Sequence, residues 1–179
     1  MKKLKVLELF AGTRSIGKQF ELRNHEVYSI DWDKQHENHR TKDEDGNLSP
    51  KSDYAKLCDS INIHTIELIR ELLEINPDLI YFIENPRGGM RKMNFMKDIP
   101  RYTVTYCQYG DTRMKPTDIW TNYPNPNFKP MCRNGDPCHV AAPRGSKTGT
   151  QGLKNAKERG VIPEELCKYV VTICEDIIK

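Results

Sequence analysis

The sequence predicts a single α/β domain, on three observations. The first is a strand, glycine turn, helix, strand succession over Lys5 to Asp33. The second is a long helical periodicity over Asp53 to Ile75, and the third is a continuous apolar run, Asp78 to Ile83. With 179 residues, 37% hydrophobic and 30% charged, the chain is long enough for one domain with a real core and short for two.

The first stretch organises the rest. Lys5 to Phe10 is apolar and stops at Ala11-Gly12, as a buried strand ending at a tight turn would. Ser15 to Asn24 suits a short helix, with Ile16, Gln19, Phe20 and Arg23 at helical spacing, and Glu26 to Ile30 is rich in strand formers. Asp31 follows Gly12 at about the distance at which nucleotide-binding βαβ units place a ribose-binding acid. Gly12 and Gly17 do not complete the dinucleotide fingerprint, because Arg14 stands where a second glycine would let a pyrophosphate approach. A ribose ligand without phosphates fits better. S-adenosylmethionine is such a ligand, and Trp32 offers an aromatic face for adenine.

Lys34 to Lys51 is almost devoid of apolar residues and reads as a loop. Ser52 is a good N-cap for the 53 to 75 helix, and Asn76-Pro77 ends it. The run 78 to 83 reads as a buried parallel strand that delivers Glu84-Asn85-Pro86 to its carboxyl end, where open α/β sheets bind ligands. Arg101 to Gln108 alternates as a strand does, Tyr109 to Lys115 forms a turn, and Asp118 to Thr121 a short final strand. Pro124 to Thr150 is a long loop, and Pro163 opens a helix with Leu166, Val170, Ile173, Cys174 and Ile177 on one apolar face.

Charge is unevenly distributed. Residues 87 to 159 hold 14 Lys+Arg against 5 Asp+Glu, a balance of +9, in a chain whose net charge is +3, so the remainder carries −6. Such a division is the usual footprint of a protein that meets a polyanion, the alternative being a solvated surface that clusters its charge. No apolar run is long enough to span a bilayer and no signal peptide is apparent, so a cytoplasmic protein without membrane contact is expected. The six cysteines are scattered and read as reduced thiols. Cys132, Cys138 and His139 invite a zinc reading against free thiols or packing, but no fourth ligand is evident.

Taken together, LELFAG, the pair Asp31-Trp32, Glu84-Asn85-Pro86 at a strand end, and Tyr109-Gly110 followed by Arg113 and Lys115 resemble the DNA cytosine C5 methyltransferases, especially small phage-type members. The motif order agrees over most of the chain. The resemblance implies a Rossmann-like S-adenosylmethionine-dependent methyltransferase sheet, shortened by strands missing after Asp33. On it, residues 1 to 86 form the cofactor-binding half, 87 to 159 the DNA-facing region and 160 to 179 a closing helix. The resemblance also implies that Phe10, Ala11, Gly12, Asp31, Trp32 and Pro163 hold S-adenosylmethionine. Glu84 would contact the ring nitrogen of a flipped cytosine, with Asn85 beside it and Arg113 or Lys115 as the neighbouring base-contacting cation. Arg87, Arg91, Lys92 and Lys115 would meet DNA.

The chemistry behind that pattern is specific. C5 of cytosine becomes nucleophilic only when a thiolate adds to C6, and an acid that donates to N3 eases the addition. The base must also leave the duplex. The family carries its nucleophile as a Pro-Cys pair between the acid-Trp pair and Glu-Asn. Here the only cysteine in that interval is Cys58, on the apolar stripe of a helix, and the pair Pro137-Cys138 comes after Glu84. A catalytically inactive relative that binds cofactor or DNA is the alternative. With the nucleophile strand absent, the run 78 to 83 is expected to pair directly with the first strand through a crossover made by the 53 to 75 helix.

Overall fold

The structure, a computed structural model, describes residues 2–31, 40–42, 48–50, 52–141, 143, 153 and 155–178. Its described residues are mixed α/β and divide into two compact units, Met1–Asp33 with Thr103–Thr117 and Pro126–Lys179, and Lys34–Tyr102 with Asp118–Asn125. Among the described residues no helix is long and apolar enough to cross a membrane.

The first unit begins with the expected βαβ succession. Strand β1 (Lys5–Leu9) and strand β2 (Glu26–Ile30) pair in parallel with Lys5 opposite Glu26 and Leu9 opposite Ile30, joined by helix α1 (Ser15–Leu22). The helix stops two residues short of the expected Asn24, because Arg23 and Asn24 donate their amides back to Phe20 and Glu21 and Asn24 takes φ 65. On the inner face of the strands the Glu8 carboxylate accepts from the Gly17 amide at 3.0 Å and from the Ser29 hydroxyl at 2.7 Å. A β-carbon at Gly17 would lie 2.3 Å from Glu8 Oε2, so a larger residue there would displace the Glu8 carboxylate from these bonds.

Helix α4 (Glu164–Ile177) packs on α1 and buries Leu166, Cys167, Val170, Val171 and Ile173. Its Glu175 is bonded by Arg23 Nη1 at 2.6 Å and by His25 Nε2 at 3.0 Å, while His25 Nδ1 accepts from the Leu4 amide at 3.2 Å. Burial alone would push the Glu175 carboxyl up, but the bonds and charges of Arg23 and His25 outweigh it and hold it below the ordinary carboxylate range. A carboxyl depressed in this way stabilises the fold above its unfolded value of about 4.3, and that contribution is lost as pH falls through the lower folded value. Glu175→Gln is therefore expected to flatten the acid limb of a melting-temperature profile recorded from about pH 3 to 7. An unchanged acid limb would remove this linkage.

In the second unit, helix α2 (Asp53–Ile75) has the expected bounds, and Ser52 Oγ accepts from the Ala55 amide at 3.1 Å. Two readings need correction. The polar segment read as a loop contains a short antiparallel hairpin, β3 (Arg40–Lys42) with β4 (Leu48–Pro50). Its alternation was invisible because polar residues leave no hydrophobic period.

The run 78 to 83 is not a parallel strand. Strand β5 starts at Phe82 and ends at Pro86, and its bonded neighbour is β7 (Pro116–Thr121), which also pairs with β6 (Arg101–Thr105) in a three-stranded antiparallel sheet. β1 is bonded to β2 rather than to β5. The late start of β5 is set from a distance in the chain: Asn122 donates to Leu79 O at 2.8 Å and accepts from the Tyr81 amide at 3.0 Å, so a side chain occupies groups a ladder would have used.

Strand β6 also ends earlier than expected, turning at Tyr106–Tyr109 into a 3-10 turn closed by Gly110 at φ 87. A short helix α3 (Ala156–Gly160) precedes α4. The core of the second unit is Ile66, Met96 and Trp120, flanked by Ile69, Ile83, Met90, Met93, Phe95 and Ile99.

Candidate functional site

The βαβ unit brings its turn and its acid together. Ala11 donates to Ile30 O at 3.1 Å, and the Gly12 amide donates to Asp31 Oδ2 at 2.8 Å, so the carboxylate closes the carboxyl edge of the two strands. Phe10, Gly12 and Arg14 all take left-handed backbone, with φ of 55, 52 and 56. Outside glycine this costs about 1 to 2 kcal/mol per residue. At Arg14 it is offset by bonds from the guanidinium to Ser29 Oγ at 3.0 Å and Glu21 Oε1 at 2.5 Å. Arg14 therefore folds back along α1, while the Phe10 ring is 54% exposed beside the turn. Trp32 lies outside the described residues.

The segment before α4 reaches the same turn. Ile162 donates its amide to Ser15 Oγ at 3.3 Å, and Ser15 shares a 2.5 Å hydroxyl contact with Thr13. Pro163, next in sequence, precedes α4 and lines an open depression of about 540 Å³ with Tyr109 to Thr112. The turn is thus bracketed by Asp31 on one side and by Ile162 on the other.

Arg113 and Lys115 hold that bracket from below. Arg113 is 6% exposed; its Nε lies 2.9 and 2.8 Å from the two Asp111 oxygens, its Nη2 pairs with Asp111, and it reaches the carbonyls of Glu158 and Val161 at 3.4 and 3.5 Å. Lys115 is 7% exposed and donates to Arg159 O at 2.9 Å, with its ammonium 4.6 Å from the Tyr106 ring centre. Burial would push Asp111 up, but the bonds from Arg113 and its charge hold it below the ordinary range, and Asp111 in turn raises Arg113. These two cations, read from the sequence as base or DNA contacts, are directed at the carbonyls of residues 158 to 161, just before Ile162.

The remaining expected site residues belong to the other unit. Glu84 and Asn85 lie within β5 and are half-buried, and Asn85 donates to Pro86 O at 3.0 Å. Arg87 and Lys92 are exposed. Arg91 instead forms a bidentate pair with the fully buried Asp118, at 2.8 and 2.5 Å.

The cysteines give the clearest convergence. Cys132, Cys138 and His139 come together, and the ligand missing from the sequence reading is Cys107, at the 3-10 turn after β6. All four donor atoms lie within 4.8 Å of one another. Cys107 is pushed up to about 12 by burial and by its bond with Cys132. Cys107 was overlooked because it follows a strand-like alternation, 25 residues before Cys132, and no short spacing links the two. Cys58 is half-buried on α2, and Cys174 is pushed up to about 12 by burial. Comparison of the chain with protein-family models, with curated proteins and with solved structures finds no match.

Proposed function

We propose that the chain binds S-adenosylmethionine at the Phe10 to Ser15 turn and acts on DNA as a methyltransferase of the cytosine C5 type. The observation that carries this reading is the Asp31 carboxylate at the carboxyl edge of a parallel βαβ unit, fixed on the Gly12 amide. The donor set suits the cofactor. A carboxylate accepts from ribose hydroxyls, the exposed Phe10 ring supplies an aromatic face, and Arg14 is turned away on Ser29 and Glu21, so nothing in the turn is arranged for a pyrophosphate. A Rossmann-like arrangement is part of the same reading.

When bound, the cofactor supplies an electrophilic methyl group. Asp31 would orient its ribose, Ile162 and Pro163 would close the pocket, and Arg113 with Lys115 would position that segment through its carbonyls. Glu84 would donate to the cytosine ring, and exposed Arg87 and Lys92 would meet phosphates.

A second reading, binding without transfer, is favoured by the thiols. Cys58 is half-buried on the α2 helix and Cys138 is gathered with Cys107, Cys132 and His139, so among the described residues neither is placed as a lone nucleophile.

One experiment separates the two. The protein is titrated with S-adenosylmethionine by calorimetry and incubated with labelled cofactor and mixed DNA. Transfer supports the first reading, binding alone supports the second, and no binding removes both. Asp31→Ala is expected to weaken cofactor binding about tenfold or more, the effect of removing a charged hydrogen-bond acceptor. Glu84→Gln is expected to lower turnover and leave cofactor affinity unchanged. Equal affinity of Asp31→Ala and the parent would displace the pocket from this turn.

A further inference from the structure

We propose that Cys107, Cys132, Cys138 and His139 form a structural zinc site of the Cys3His type. The inference stands apart from the methyltransferase reading, because it uses none of that site's residues.

Four donor atoms from two distant segments converge on one point. Cys107 Sγ lies 3.0 Å from Cys132 Sγ and 3.6 Å from Cys138 Sγ, and His139 Nδ1 lies 3.7 Å from Cys132 Sγ and 3.6 Å from Cys138 Sγ. A tetrahedron with zinc bonds of about 2.3 Å to sulfur and 2.0 to 2.1 Å to nitrogen has edges of about 3.6 to 3.8 Å. Three of these four separations match those edges, the 3.0 Å pair needs a small outward rotation of a thiol, and the two remaining pairs lie within 4.8 Å.

The chemistry of the set selects the ion. Three sulfurs with one imidazole form a soft donor set that suits zinc and not magnesium or calcium. All four positions of the tetrahedron are filled by protein, so no place is left for a reacting water; the site is a brace rather than a catalytic centre.

The surroundings are arranged for the same purpose. Thr105 Oγ1 accepts from the Cys132 amide at 3.0 Å, and Gln108 Nε2 donates to Cys138 Sγ at 3.6 Å, so groups around the cluster hold its members in place. Between Cys132 and Cys138 the chain makes a compact turn. The Arg133 amide donates to Asp136 Oδ2 at 2.6 Å, the Asp136 amide donates to Arg133 O at 3.1 Å, and Gly135 takes φ 92. Past His139, Val140 donates to Thr112 O at 2.8 Å. The segment from 122 to 141 has neither helix nor strand, and the ion would fasten it to the turn between β6 and β7.

The test uses the full chain, purified with reductant and analysed for metal by mass spectrometry. About one zinc per chain is expected. Cobalt exchanged into the site should give the visible bands of a tetrahedral ion and a near-ultraviolet sulfur-to-metal band. Cys107→Ser and Cys138→Ser should lose most of the bound metal, while Cys58→Ser and Cys174→Ser keep it. Should the serine variants fail to fold, His139→Cys decides, since it should retain the metal and shift the cobalt spectrum toward that of four sulfurs. Removing the ion with a chelator should open the Arg133-Asn134 bond to trypsin. Folded, reduced protein that takes up neither zinc nor cobalt would overturn the proposal. So would metal that stays with both serine variants, or a Cys107 to Cys132 disulfide found in metal-free protein.

Discussion

Trp120→Ala is expected to destabilise the protein by about 3 to 5 kcal/mol, the largest effect of any single core truncation here. Trp120 is 1% exposed in β7, the central strand of its sheet, and packs with Ile66 of α2 and Met96 of the 3-10 turn at 94 to 96. Removing the indole deletes its burial and leaves a cavity. The flanking Ile69, Ile83, Met90, Met93, Phe95 and Ile99 can collapse into that space only in part, because they come from α2, β5 and the short turns of the same unit. The measurement is the denaturant midpoint, with Trp120→Phe as the volume-sparing comparison expected to lose less. Because the chain has two compact units, the loss should appear in the transition reporting on residues 34 to 102 and 118 to 125. A loss below about 1 kcal/mol would show that this cluster is not the core of its unit.

Arg91→Ala is expected to cost about 3 kcal/mol, since it strips a bidentate guanidinium from a carboxylate with no exposed surface. The effect follows from asymmetry: the Arg91 side chain is 19% exposed, whereas the Asp118 carboxyl that loses the guanidinium has no exposed surface. Lys92→Ala, one residue further along and exposed, should stay within about 0.5 kcal/mol. Replacing the pair together, Arg91→Met with Asp118→Leu, should recover much of the loss. The same variants sort structure from DNA contact. If Arg91 served DNA, its removal would lower the salt slope of binding and leave the melting temperature unchanged.

What could be read from the sequence was what local chemistry decides. Ser52 before a regular apolar period gave α2 its bounds, and the Ala11-Gly12 turn followed by Glu26 to Ile30 gave the βαβ unit. What escaped was set by groups far away in the chain. The late start of β5 is decided by the Asn122 side chain, some 40 residues on, and no period of Asp78 to Ile83 records it. The Cys107 ligand is fixed by a turn whose partner loop comes 25 residues later. Arg113 and Lys115 were read as base or DNA contacts; their acceptors, the carbonyls of residues 158, 159 and 161, carry no side-chain signature at all. Asp111, two residues before Arg113, was the one local hint that this arginine had a partner inside the protein.

The link from Leu4 through His25 to Glu175 has a consequence for how the chain is made. His25 and Glu175 are separated by 150 positions, so β1, α1 and β2 leave the ribosome long before the helix that completes their packing exists. At about 5 to 20 residues per second that wait is about 8 to 30 s. Over that interval Phe20 and the inner face of α1 have no α4 to cover them, and the nascent amino-terminal unit is open to chaperones. The contact between His25 and Glu175 is a long-range one, of the kind that slows folding.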